Sequence, residues 1–87
     1  MTDLPYRSAL IVGAGPGISA SLARALAADG VEVALAARNP GKLGALVSET
    51  GAKAFAADAS DPAAVAELFR SAEAAIGEPD LVVYNAS

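Results

Sequence analysis

Val12-Gly13-Ala14-Gly15-Pro16-Gly17-Ile18-Ser19 decides the reading of this chain. A short apolar run, Ala9-Leu10-Ile11-Val12, leads into it, and a helical pattern from Ile18 to about Ala28 leads out. Three glycines within five residues, between a strand and a helix, make a tight turn that lets something large approach the backbone. The helix that follows offers free N–H groups and the positive end of a dipole, a setting suited to phosphate. A nucleotide-binding first turn is the expectation. The G-x-G-x-x-G fingerprint fits only in part, because Ile18 takes its last position; G-x-x-x-G-x-G fits better, with Gly13, Gly17 and Ser19 as a small third residue. No Gly-Lys-Ser/Thr follows, which excludes a P-loop. The bland alternative is a strand–helix turn that simply uses glycine.

The flanking pattern extends outward from this turn. Residues 1–7 read as a loose lead-in around Pro5, and residues 8–12 as a strand buried on both faces. Ile18, Leu22, Ala25 and Leu26 give the first helix a sheet-facing stripe, and Gly30 is placed to cap it. A second strand is expected over 31–36, a turn over 38–41, and a helix from about Lys42 to Thr50 carrying Leu43, Leu46 and Val47 on one face. Lys53 to Ala57 is a weaker strand, diluted by alanine. Asp61 is an N-cap with Pro62 at the first helical position, and Val65, Leu68, Phe69, Ala72 and Ile76 form an amphipathic helix that Gly77 and Pro79 stop. Leu81 to Tyr84 is the fourth strand.

The expected fold class is therefore α/β: a Rossmann-type, doubly wound parallel sheet in the order β-α-β-α-β-α-β, with four strands and three helices in one domain over residues 1–87. Right-handed crossovers put the first two helices on one sheet face and the third on the other. Ligands in such sheets bind outside the carboxyl ends of the strands, and the unusual residues gather there: Gly13 to Ser19, Arg38, Asp58, and Asn85 to Ser87.

Composition narrows the chemistry. The 87 residues carry a net charge of −4 and no dense basic patch, which argues against nucleic acid or an anionic membrane as partner. There is no cysteine and no histidine, so disulfides, thiolate chemistry, histidine acid–base catalysis and most zinc sites are excluded within this chain. No signal-peptide pattern and no membrane span is evident, and a soluble cytoplasmic protein is the expectation.

Gly13-Ala14-Gly15-Pro16-Gly17-Ile18-Ser19, Ala37-Arg38-Asn39, Asp58 and Tyr84-Asn85-Ala86-Ser87 together resemble the N-terminal half of the short-chain dehydrogenase/reductase family, over the whole chain. The family usually shows Thr-Gly-x-x-x-Gly-x-Gly and Asn-Asn-Ala-Gly. Val12, Ser19, Tyr84 and Ser87 depart from those patterns, as in a divergent subgroup. The resemblance implies that Gly13 to Ser19, including Gly15, Pro16, Gly17 and Ile18, would cradle a pyrophosphate. It implies that Asp58, with the backbone of Ala59 beside it, would bind the adenine amino group, and that Asn85 and Ala86 would line the ribose. Without that company, Asp58 reads as a loop cap or Asx-turn residue, and Asn85 as a strand-end residue satisfying the backbone.

Cofactor choice turns on the end of the second strand. An acidic residue there would bind the ribose hydroxyls of NAD, but Ala36 and Ala37 stand instead. Arg38, with Asn39 beyond it, can pair a phosphate bidentately, so NADP(H) is expected over NAD(H). A solvated turn arginine is the competing reading, and Pro16 stands where a second basic residue would strengthen the case. A flavin site, which the opening of the turn also resembles, would need glycine at Ile18 and an acid at Ala37.

The family's catalysis uses a serine, a Tyr-x-x-x-Lys pair and an asparagine beyond the fourth strand. Tyr6 is followed four residues on by Leu10, and no residue stands four beyond Tyr84, so no catalytic residue is assigned. The chain reads as truncated: the cofactor-binding half of an oxidoreductase acting on a carbonyl or alcohol, with a homo-oligomeric full-length parent. An isolated half with an open sheet edge is expected to self-associate, to aggregate or to need its missing half. The alternative is a stand-alone dinucleotide-binding or regulatory module, and a downstream Tyr-x-x-x-Lys in the parent would discriminate the two.

Overall fold

A computed structural model describes residues 7–13, 18–58 and 60–84. The elements run β1 (Ser8–Val12), α1 (Ile18–Ala28), β2 (Glu32–Ala37), a 3-10 turn (Pro40–Leu43), α2 (Gly44–Thr50), β3 (Lys53–Ala56), α3 (Pro62–Ile76) and β4 (Leu81–Tyr84). All strand pairs are parallel, in the order β3-β2-β1-β4. The chain winds outward from β1 to β3 and then returns past β1 to β4, so the sheet is doubly wound and its switch point lies between β1 and β4.

The period-two pattern of β1 explains the layering. Ala9 and Ile11 face a core with Ala20, Ala23 and Leu26 of α1 and with Leu43 and Leu46 of the second crossover; Leu10 and Val12 face Leu68, Ala72 and Ile76 of α3. The first two crossover helices therefore share one face and α3 takes the other, as the handedness rule requires. Every residue of β1 is buried, which suits a central strand covered on both sides. α3 packs against β2 and β3. On its side of β4, Val82 and Tyr84, the partners of Leu10 and Val12, remain 38 % and 56 % exposed.

Three boundaries differ from expectation. β2 starts at Glu32, one residue late and running through Ala37, because Val31 completes the end of α1. Gly30 takes φ +83°, and its N–H donates to the Ala27 carbonyl while Val31 N–H donates to Leu26, both at 3.0 Å. This left-handed cap brings Val31 into the same cluster as Leu26. The helix expected from Lys42 is a 3-10 turn before Gly44, and β3 ends at Ala56 rather than Ala57. The stripe of α1 is also corrected. Ala25 is exposed, and Ala20, Ala23 and Leu26, spaced three apart, make the sheet contact with Leu22 half-buried beside them.

The amino edge of the sheet is closed by polar contacts. Arg7 N–H donates to Asp80 Oδ2 at 2.8 Å, and the buried Ser8 hydroxyl donates to the Glu78 carbonyl at 2.9 Å. No described helix is long and apolar enough to cross a membrane.

Candidate functional site at the carboxyl edge of the sheet

The site is built from strand ends held in register. Gly13 N–H donates to the Ala36 carbonyl at 2.8 Å, and Ala57 N–H donates to the Ala37 carbonyl at 3.0 Å. These two bonds carry the pairing of β1 with β2 and of β2 with β3 one step past the strands. They bring Gly13, Arg38 and Asp58 to the same edge. Gly13 has φ +85°, a conformation that side chains with a Cβ resist, and it turns the chain at the switch point toward α1.

Arg38 is exposed and makes no ion pair among the described residues, whose two ion pairs are Arg24–Glu49, joining α1 to α2, and Arg70–Glu67. Asn39 is exposed and leads into the 3-10 turn without a side-chain capping bond.

Asp58 is half-buried. Its Oδ1 accepts from the Ser60 hydroxyl at 2.7 Å and from Ser60 N–H at 2.9 Å. The Ser60 hydroxyl, then the Ser60 N–H, hold the carboxyl below the usual carboxylate range; partial burial opposes them and the nearby Arg38 charge adds to them. The Asp58 carbonyl accepts Asp61 N–H at 3.0 Å, and Asp61 caps α3 by accepting Ala63 N–H at 3.0 Å, as its place before Pro62 predicts. The local turn role open to Asp58 in the sequence is thus real, but it engages one carboxylate oxygen. Ser60, which the sequence shows only as loop, is the partner that closes this turn. An Asp with Ser two positions later is the signal that marks such a turn.

Of the remaining expected site residues, Ile18 heads α1 in the backbone. Gly15, Pro16, Gly17, Ala59, Asn85 and Ala86 lie outside the described residues. Among the described residues no cluster of acids could hold a metal ion. The described residues offer groups able to meet a phosphorylated nucleotide: a left-handed glycine at the end of β1, a cation after β2 and an ionised carboxylate past β3, in that order along the edge.

Comparison with known proteins agrees with this geometry. The short chain dehydrogenase family profile matches residues 7–87. A probable oxidoreductase of Streptomyces lividans is 40% identical over 87 residues, covering 97% of this chain and 29% of its own length. The chain thus spans less than a third of that relative. A metagenomic short-chain oxidoreductase, solved in complex with NADP, superposes with a TM-score of 0.86 at 36% identity, covering 93% of this chain and 39% of that one. BdcA, solved in complex with NADPH, superposes with a TM-score of 0.79 at 32% identity, covering 93% of this chain and 32% of its own.

Proposed function

The chain belongs to the short-chain dehydrogenase family, and from that premise we propose that its carboxyl sheet edge is an NADP(H) site, the cofactor-binding portion of a cytoplasmic oxidoreductase acting on a carbonyl or alcohol. The observation that carries this reading is the alignment of the Gly13, Arg38 and Asp58 turns by the Gly13–Ala36 and Ala57–Ala37 backbone bonds. When bound, the nicotinamide supplies hydride-transfer chemistry. The chain's own residues bind and orient. The turn from Gly13 through Gly15, Pro16, Gly17 and Ile18 receives the pyrophosphate at the start of α1. Arg38, with Asn39 beside it, pairs the 2′-phosphate, and no acid at Ala36 or Ala37 repels it. Asp58 and the backbone of Ala59 meet the adenine, and Asn85 and Ala86 line the ribose. Relatives solved with NADP and NADPH support the choice of cofactor.

The test is a fluorescence titration of the full-length protein with NADPH, displaced by adenosine 2′,5′-bisphosphate, followed by an assay of carbonyl-dependent NADPH oxidation. Binding with turnover is expected. Binding without turnover across a broad carbonyl panel would favour a regulatory module, and absence of binding would overturn the site.

A further inference from the structure

The Asp58 carboxylate is used on one side only. Both hydrogen bonds it accepts within its turn fall on Oδ1, and both come from Ser60. Among the described residues no hydrogen bond reaches Oδ2, whose lone pairs therefore remain available. The backbone of Asp58 is tied down independently, by its carbonyl to Asp61 N–H and, one residue earlier, by Ala57 N–H to Ala37. With the main chain held by these two bonds, the freedom left to Asp58 is in its side-chain torsions, which the two Ser60 contacts restrict. The Ser60 N–H would bond the carboxylate in any such turn. The hydroxyl is the second, shorter contact, and it is the one that a sequence change can delete without altering the main chain.

We propose that Ser60 is a positioning residue, whose hydroxyl holds the Asp58 carboxylate so that Oδ2 stands ready as acceptor for the exocyclic amino group of a purine ring. This rests on the reading of the sheet edge as a dinucleotide site. A carboxylate that must be ordered when ligand arrives loses affinity to that ordering, whereas one already held does not. The depressed titration of Asp58 fits the same arrangement, since a clamped acceptor stays ionised.

The experiment compares Ser60→Ala and Ser60→Thr with the unchanged full chain, by calorimetric binding of two probes. One probe is NADP; the other is its hypoxanthine analogue, which carries an oxo group in place of the amino group. The unchanged protein is expected to prefer the adenine form by about tenfold, the scale of a hydrogen bond to a charged group. Ser60→Ala should lose most of that preference while binding the hypoxanthine form unchanged, and Ser60→Thr should restore it. Full preference retained in Ser60→Ala would overturn the positioning role and leave the site standing. Equal affinity for both probes in the unchanged protein would overturn the adenine role of Asp58 and this inference with it. A ligand-free readout is the NMR titration of the Asp58 carboxyl, which should move upward in Ser60→Ala. An unmoved titration would show that the hydroxyl does not hold the carboxylate.

Discussion

Gly13 N–H reaches the Ala36 carbonyl at 2.8 Å, so the first turn is anchored to the end of the second strand before α1 begins. Past that bond, Gly13 turns the chain with φ +85°. Gly13→Ala should therefore lower stability by about 1–2 kcal/mol, the scale of a left-handed conformation forced on an L-residue. The urea midpoint reads the effect, and a midpoint unchanged within error would mean that the turn relaxes to another backbone path.

Leu10 and Leu35 are both fully buried, on opposite faces of the sheet. Each substitution to alanine should cost about 2–5 kcal/mol, from lost burial and the cavity left behind. Denaturant unfolding of both variants checks whether the two layers are comparably packed.

Asp61 caps α3 through Ala63 N–H and also closes the Asp58 turn through its own N–H. Asp61→Ala removes only the side-chain cap and should destabilise by about 1 kcal/mol. Asp61→Ser should recover most of that loss, since serine is an equally good cap. Thermal unfolding followed by circular dichroism compares the two.

Acid should weaken the Asp58 turn. The native carboxyl titrates below its ordinary value, so the native state binds fewer protons there than the unfolded chain. Its contribution is complete above the ordinary carboxylate range and is lost as pH falls through that range toward the depressed native value. The stability advantage of the unchanged protein over Ser60→Ala should accordingly be present at neutral pH and shrink on acidification. Urea midpoints of both proteins across that interval measure it, and a constant gap would contradict the assignment.

Much of the fold was legible because its signals are local. Gly30 after an apolar period, and Asp61 before Pro62, mark helix ends that the hydrogen bonds bear out. The α1 stripe was less legible because alanine occupies both inner and outer positions. Period alone cannot separate Ala23, fully buried, from Ala25, exposed. The start of β2 shifted because Val31 serves the helix cap rather than the sheet. Arg38 and Asp58 could be placed at one edge from topology alone, since both follow parallel strands. The Ser60 contact could not, because it depends on how one loop closes on itself.

The central claim concerns Arg38, the exposed cation at the end of β2. Calorimetric affinities of the full-length protein for NADP and NAD, each measured with and without Arg38→Ala, test it most directly. Preference for NADP by about tenfold or more, abolished in Arg38→Ala with NAD affinity unchanged, is the predicted result. Equal affinity for the two dinucleotides, indifferent to the substitution, would contradict it.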